Sequence, residues 1–210
     1  LVSFDPKTSI SMVGKEAFAS DETLAEAAEL NARDVSILGQ EACVCSRFTF
    51  LEANAEDGDR YAEVLAERLR IDRFNEGDPR PLDMDLKEQI DVLRMMDDEY
   101  GVFGKSDGRG VAIRSDEPVD FHPLRKTSNV VCVPDLMEAM KYVNVATQTV
   151  GVYPFSRMPE LRDHLASGGA QRCVRLGEAG PSAIGNPHDA MYPLHRFVHW
   201  MANEDGCEGD

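Results

Sequence analysis

Features that several functional classes depend on are scarce or missing in this sequence of 210 residues. Basic residues are few: 22 lysines and arginines stand against 38 acids, for a formal net charge of -16 at pH 7. Nucleic acid or an anionic membrane as the main partner would need a basic surface, so the charge argues against both. A helix needs about 20 apolar residues to span a bilayer, and no apolar run approaches that length. We therefore expect no integral membrane segment.

Disulfide patterns and phosphate-binding loops are missing as well. The five cysteines are odd in number and have no framework spacing, and no secretory signal pattern opens the chain. The cysteine count and spacing predict a reducing, cytoplasmic location. Neither G-x-G-x-x-G nor G-x-x-x-x-G-K-[ST] occurs, and the glycine-rich stretch GKSDGRG, which has neither spacing, is typical of a flexible surface loop.

What the chain does contain is an alternation of predicted helices and strands. A helix is predicted from a capping Ser20 to Gly39, and others over residues 55–71 and 84–96. In the second half the strands GVAIR, SNVVCV, TVGVYP and RCVRL alternate with the helices PDLMEAMKYVN, MPELRDHLASGG and YPLHRFVHWMAN, and RFTFL is a further strand. This order predicts an α/β fold of three layers around a largely parallel sheet.

The ends of the chain suggest how it is organised. Residues 1–203 are expected to form one domain, and the acidic tail over residues 204–210 is expected to fray. The opening LVSFDPKTSISMV is apolar and strand-like from its first residue. We therefore expect the chain to come from the middle of a longer protein, with half of a bipartite active site lying elsewhere.

The stretch DVSILGQEACVCSRFTFLE holds two cysteines, Cys43 and Cys45. A cysteine that follows a helix-ending turn can be a nucleophile if backbone N–H groups favour its thiolate. The alternative is a packing residue, because free cysteines are often buried. In an extended chain both side chains would point to the same face. A C-x-C pair without a second pair of ligands is a weak sign of zinc.

Histidines near the end of the chain raise the possibility of a metal site. His195 and His199 are four residues apart in a predicted helix, with His188 or Asp189 as a possible third ligand. The Glu of H-E-x-x-H is missing between them. The alternative, which we favour, is that the histidines flank a core stripe and bind no metal. That stripe comprises Leu194, Phe197, Val198 and Met201.

Several motifs in the right order resemble the aldehyde dehydrogenase superfamily. Within it, they resemble the long-chain fatty acyl-CoA reductases of bacterial luminescence operons, in which the cysteine motif reads Q-x-A-C, as Gln40 to Cys43 do here. The resemblance covers essentially the whole chain, but only the catalytic half of such an enzyme. The motifs that carry it are SFDPKTSISMV, LGQEACVCSRFTFLE, FHPLRKTSNVVCVPDLMEAMKYVN, TQTVGVYP and PHDAMYPLHR.

The resemblance implies a fold like the catalytic domain of aldehyde dehydrogenases. It also implies Cys43 as the nucleophile, Gln40 as a substrate-binding residue and Phe121 as a cofactor-binding residue. The reaction it implies is reduction of a fatty acyl-CoA or another acyl thioester to fatty aldehyde through a cysteine thioester. NADPH would be held mainly by an upstream domain absent from this chain, and the protein would be a homo-oligomer.

Two departures from the superfamily bear on the reaction. Ser3 stands near the position of the general base that activates water for hydrolysis, which suits an enzyme releasing aldehyde rather than acid. Phe121 and Pro123 match the F-x-P of a second motif, but Val119 replaces its ribose-binding Glu. The remaining alternatives are an NAD-dependent dehydrogenase that oxidises aldehydes, a non-catalytic homologue serving as a subunit-interaction module, and a metalloenzyme using the three histidines.

Overall fold

A seven-stranded sheet forms the centre of the computed structural model, which describes residues 6–74, 80–180 and 184–202. The strand order is β3-β4-β5-β2-β1-β6-β7, and every neighbouring pair is parallel except the antiparallel hairpin of β3 and β4. The strands are β1 (Thr8–Val13), β2 (Ser46–Glu52), β3 (Gly101–Gly104), β4 (Val111–Ser115), β5 (Thr127–Val133), β6 (Thr147–Tyr153) and β7 (Arg172–Arg175). The predicted α/β fold with a largely parallel sheet is confirmed.

Helices cover both faces of this sheet and complete the three layers. The α-helices are α1 (Asp21–Ser36), α2 (Ala55–Leu69), α3 (Met84–Met95) and α4 (Met158–Gly168). Short 3₁₀ helices are formed by Lys15–Phe18, Ile37–Gln40, Leu136–Tyr142, Phe155–Arg157 and Pro193–Phe197. The predicted cap of α1 is present as a capping box, in which the Ser20 hydroxyl accepts from the Thr23 N–H at 3.2 Å.

Two apolar cores lie on opposite faces of the sheet. One joins α1 and α2 to alternate residues of the central strands, and the other joins α4 and the 3₁₀ helix Leu136–Tyr142 to the intervening residues. In the first core, the buried Asn31 side chain donates to the hydroxyls of Thr49 (2.8 Å) and Tyr61 (3.1 Å) and accepts from the Ser11 hydroxyl (3.1 Å). This network fixes α1 against β1 and β2, the two strands that flank the candidate site.

Three predicted elements differ in the structure. The GVFG stretch, for which the sequence predicts no strand, is β3 of the hairpin. The helix predicted over residues 134–144 is the shorter 3₁₀ helix Leu136–Tyr142. The predicted closing helix YPLHRFVHWMAN is wrong: only Pro193–Phe197 forms a 3₁₀ turn, and its expected core residues Leu194 and Met201 are 77% and 87% exposed. A short helix without a packing surface is marginal in water, so helical spacing of apolar residues is insufficient.

Two sequence predictions concern residues outside the described ranges. These are the role of Ser3 and the fraying of the tail over residues 204–210. Within the ranges that are described, no helix is both long and apolar enough to cross a membrane.

Candidate active site

Cys43 lies on the loop between α1 and β2, at the edge of the sheet where the parallel strands begin. After α1 ends at Ser36, the chain takes left-handed backbone conformations at Leu38, Gly39 and Gln40, with φ values of 49°, 65° and 67°. Only glycine adopts such values freely, so the two other residues need tertiary support. Past this point the Cys45 N–H donates to the Ala42 carbonyl at 3.2 Å and closes a tight turn with Cys43 inside it.

The Gln40 side chain provides that support. It is fully buried, and its amide nitrogen donates to the carbonyls of Thr127 (2.7 Å) and Ser46 (3.2 Å). Its amide oxygen accepts from the Thr127 N–H at 3.1 Å. Gln40 thus ties the cysteine loop to the first residues of β2 and β5. Its predicted contact with substrate stays a prediction, since the structure directs these polar groups to the protein backbone.

The two cysteines of the C-x-C pair lie in different environments. Cys43 is exposed, whereas Cys45 is fully buried and its thiol donates to the Ile37 carbonyl at 2.9 Å. Burial raises the pKa of Cys45 to about 11, so this thiol stays protonated at neutral pH. The expectation that both side chains share a face is wrong, because the chain turns here instead of being extended. The four cysteines in the described residues are all free thiols, so no disulfide competes for Cys43.

Ser9 on β1 holds the cysteine loop from the other side. Its hydroxyl donates to the Cys43 carbonyl at 2.7 Å and accepts from the Thr149 N–H at 3.1 Å. Next to Ser9, the pairing of β1 with each of its two neighbouring strands shifts in register. One extra residue is left in β2 and one in β6. Such bulges re-aim side chains, and they recur next to active sites. The extra residue in β2 is Arg47, between the paired residues Ser46 and Phe48.

Arg47 is a buried cation next to the cysteine loop. Only 5% of it is exposed, and it donates to the carbonyls of Gln40 (2.9 Å) and Pro123 (2.7 Å). No carboxylate pairs with it among the described residues, and its Nε lacks a hydrogen-bond partner there. Desolvation lowers the pKa of Arg47, while its attraction to Cys45 and Cys43 acts in the opposite direction. Within the described part of the chain, Arg47 therefore carries a positive charge that no carboxylate compensates.

The segment over residues 119–123 approaches the same place through Pro123. Val119 is a core residue, 9% exposed, and its N–H donates to the Asn129 side chain at 2.9 Å. Phe121 is half-buried against the cluster that includes Val119. His122 is exposed, and its pKa is lowered by partial burial and then by the nearby charge of Arg47. The Val119 position therefore offers no polar group to a ribose.

The histidines of the possible metal site, which the sequence did not favour, do not form a ligand group in the described residues. The Asp189 carboxylate accepts from the Gln148 amide at 2.7 Å and lies 3.5 Å from Nδ1 of His188. His195 instead stacks on Tyr192, with ring centroids 5.3 Å apart. Across residues 6–74, 80–180 and 184–202, no group of three potential His, Cys, Asp or Glu ligands could hold a metal ion. The structure thus offers no support there for the metalloenzyme alternative.

Asp34 secures the cysteine loop from behind. Its carboxylate, in the last turns of α1, accepts from the N–H groups of Gly177 (2.8 Å) and Ala179 (2.9 Å). Ala179 then packs with Ile37 and Cys45 in a small buried cluster. Burial raises the pKa of Asp34 from 3.8 to about 6, against the opposing effect of its hydrogen bonds and of Arg172.

A pH-dependent stability follows from Asp34. Because the folded state holds its proton more tightly than the unfolded chain, the contribution of Asp34 to stability is full below about pH 4 and is lost as the pH rises through about 6. Between pH 4 and pH 7 the wild type should lose about 2 kcal/mol relative to Asp34→Asn. Urea unfolding of both proteins at several pH values measures this. A stability difference that does not vary with pH would contradict it.

Sequence reasoning located Cys43 but missed the residues that hold its loop. Arg47 offered a signal, because it is the only charged residue of the predicted strand RFTFL. A charged residue in a central strand needs a specific partner. Ser9 and Asp34 offered none, because serine at the start of a strand and aspartate on a helix are ordinary. Their roles depend on contacts across 34 and 143 residues of sequence, respectively.

Comparisons with known proteins identify the family of this chain. The family model described as acyl-CoA reductase (LuxC) matches residues 1–200. The long-chain acyl-protein thioester reductase of Vibrio harveyi is 26% identical over 97% of this chain and 42% of its own length. Long-chain acyl-protein thioester reductase 2 of Photobacterium leiognathi is 27% identical, with the same coverage of both chains.

Solved structures show the fold. An NADP-dependent glyceraldehyde-3-phosphate dehydrogenase from Bacillus halodurans superposes with a TM-score of 0.57, at 13% identity over 83% of this chain and 40% of that one. An NAD-dependent aldehyde dehydrogenase from Burkholderia multivorans gives 0.54, at 12% identity over 88% and 38%. The chain spans about two fifths of the length of the relatives it matches. The predicted family is confirmed: this chain belongs to the acyl-CoA reductase (LuxC) family.

Proposed function

We propose that this chain is the catalytic part of a reductase that converts a long-chain fatty acyl thioester to fatty aldehyde, with Cys43 as the nucleophile. The observation that carries the proposal is an exposed thiol on a loop held by Gln40, Ser9 and Arg47. The matching relatives are named for the reduction of acyl-protein thioesters, which is the same chemistry.

In the first step, the Cys43 thiolate attacks the thioester carbonyl carbon. A new C–S bond forms to Cys43, the bond to the carrier sulfur breaks, and the carrier leaves as a thiol after taking up a proton. The Cys43 N–H, which donates to no acceptor among the described residues, is a candidate donor to the oxyanion.

The second step needs a hydride, which a bound NADPH would supply to the carbonyl carbon of the acyl-enzyme. The half-buried Phe121 is the residue of this chain that we propose to contact the cofactor. It lies two residues before Pro123, whose carbonyl accepts a hydrogen bond from Arg47 beside the cysteine loop. We propose that the residues that bind the ribose and the phosphates of NADPH lie outside this chain, in an upstream domain. The resulting hemithioacetal on Cys43 collapses to aldehyde, and Cys43 returns as a thiolate.

Hydrolysis of the acyl-enzyme would need a carboxylate near Cys43 that activates water. Glu41 is the nearest acid in the sequence, but its carboxylate pairs with Arg125 and Arg80. The Arg125 hydrogen bond is the main cause that lowers the pKa of Glu41. A carboxylate so engaged is a poor base for activating water, so reduction is favoured over hydrolysis.

We further propose that the protein is cytoplasmic and homo-oligomeric.

The proposal is tested by trapping the acyl-enzyme. Full-length protein containing this chain is incubated with radiolabelled fatty acyl-CoA without NADPH, and the labelled peptide is mapped by mass spectrometry. We expect one acyl group per chain on Cys43, released as aldehyde when NADPH is added. Acylation of a different residue would refute the assignment of Cys43. Release of free fatty acid would favour the oxidising dehydrogenase, and no acylation at all would favour the non-catalytic homologue.

A further inference from the structure

Two cavities flank the central strands, and they differ in chemistry. The larger, of about 690 Å³, lies at the edge of the sheet where the strands end, away from Cys43; we call it the carboxyl-edge cleft. Five carboxylates and two lysines line it, and this excess of acids suits neither a fatty chain nor an anionic carrier. The acids are Glu52, Asp57, Asp116, Glu117 and Glu138.

The smaller cavity, of about 260 Å³, lies on the face of the sheet opposite α1 and α2; we call it the sheet-face pocket. No charged residue lines it. Its lining comprises Thr8, Ile10, Phe48, Phe50, Pro118, Tyr142, Asn144, Ala146 and Thr147. The polar members lie at the amino-terminal ends of β1 and β6 and in the loop before β6, and the apolar rings lie further along the strands. An apolar interior with a polar rim suits a neutral hydrocarbon chain.

The rim of the sheet-face pocket adjoins the cysteine loop. Thr8 and Ile10 line the pocket on either side of Ser9, whose hydroxyl holds the Cys43 carbonyl from the other face. Phe48, the first pocket residue of β2, pairs with Ile10 directly after the Arg47 bulge. To reach the pocket, a chain attached to Cys43 would pass over the first residues of β1 and β2.

The far end of the pocket has a definite floor. The Tyr142 ring stacks on Phe50, with centroids 5.0 Å apart and planes inclined by 11°. The Tyr142 hydroxyl bonds to Glu117, which lies in the carboxyl-edge cleft beyond. From Thr8 to the level of Met12, which pairs with Phe50, the pocket runs about 13 Å along the strands. Tyr142 therefore separates the two cavities and limits the depth available to a chain.

We infer that the sheet-face pocket binds the acyl chain of the substrate and that Tyr142 sets the upper limit of chain length. This inference rests on the proposed function, because it places the chain of the acyl group that Cys43 carries. Each methylene displaced from an apolar site lowers kcat/KM about fourfold. Filling the rim should therefore penalise long chains and spare short ones.

The test compares three variants of the full-length protein. Ala146→Leu fills the rim, Tyr142→Ala removes the floor, and Ala55→Leu makes the same alanine-to-leucine change in the carboxyl-edge cleft as a control. With tetradecanoyl-CoA we expect kcat/KM to fall at least tenfold in Ala146→Leu, and with butyryl-CoA to change less than twofold. Tyr142→Ala should shift the preferred chain length upward by two carbons or more. Ala55→Leu should match the wild type.

Failure of the pocket and failure of the proposed function give different results. Acylation of Cys43 by butyryl-CoA is measured in the same preparations. If it is normal while Ala146→Leu leaves the chain-length profile unchanged, the pocket assignment is overturned and the nucleophile stands. An equal change in Ala55→Leu would also overturn it. If Cys43 is acylated at no chain length, the proposed function itself fails.

Discussion

Replacing Cys43 by alanine is expected to abolish aldehyde formation in the full-length protein, with kcat lowered on the order of 10³-fold or more. The reason is that no acyl-enzyme can form without its sulfur, and the neighbouring thiol cannot substitute. Cys45 is buried, donates to the Ile37 carbonyl, and stays protonated because its pKa is about 11. Since Cys43 is exposed, the variant should unfold within about 0.5 kcal/mol of the wild type.

The matched control is Cys45→Ser. Serine keeps a donor for the Ile37 carbonyl and is smaller, so the buried cluster with Ala179 is weakened without losing a hydrogen bond. We expect its activity to stay within a few-fold of the wild type and its stability to fall by about 1 kcal/mol. Aldehyde formation by steady-state kinetics decides the matter. Full activity in Cys43→Ala, or complete loss in Cys45→Ser, would reverse the roles given to the two thiols.

The parts of this molecule that were predictable from sequence depend on local patterns. The buried strand RFTFL and the strand–helix alternation of the second half require only periodicity and turn residues, and they predicted the parallel sheet. The motif around Cys43 placed the candidate nucleophile. The closing helix failed because the spacing of Leu194 and Phe197 satisfies a helix pattern whether or not a surface exists to cover it.

The supports of the site were beyond reach for a different reason. Gln40 meets Thr127 across 87 residues of sequence, and Arg47 meets Pro123 across 76. Neither contact follows from periodicity, since Arg47 reaches its partners only because a bulge takes it out of the regular alternation of β2. The resemblance of the Gln40–Cys43 motif to the acyl-CoA reductases therefore indicated the candidate nucleophile, and long-range contacts determine how it is held.

Arg47→Met is expected to separate stability from activity. Removing the guanidinium leaves the Gln40 and Pro123 carbonyls without their donor, which should lower the free energy of unfolding by about 1–3 kcal/mol for each carbonyl. It also removes a buried cation that no carboxylate pairs with in the described part of the chain, and the burial of such a charge costs several kcal/mol. The two effects offset each other, so the thermal midpoint should move by only a few degrees.

Catalysis should respond far more strongly to the same substitution. Without the donor that joins the Gln40 and Pro123 carbonyls, the cysteine loop loosens, and aldehyde formation should fall about 10- to 100-fold because the nucleophile is no longer held in position. Arg47→Lys separates the charge from the geometry. Lysine keeps the charge but lacks the planar fork that reaches both carbonyls, so aldehyde formation should fall in this variant too. Wild-type aldehyde formation in Arg47→Lys would mean that the reaction needs the charge and not the two hydrogen bonds.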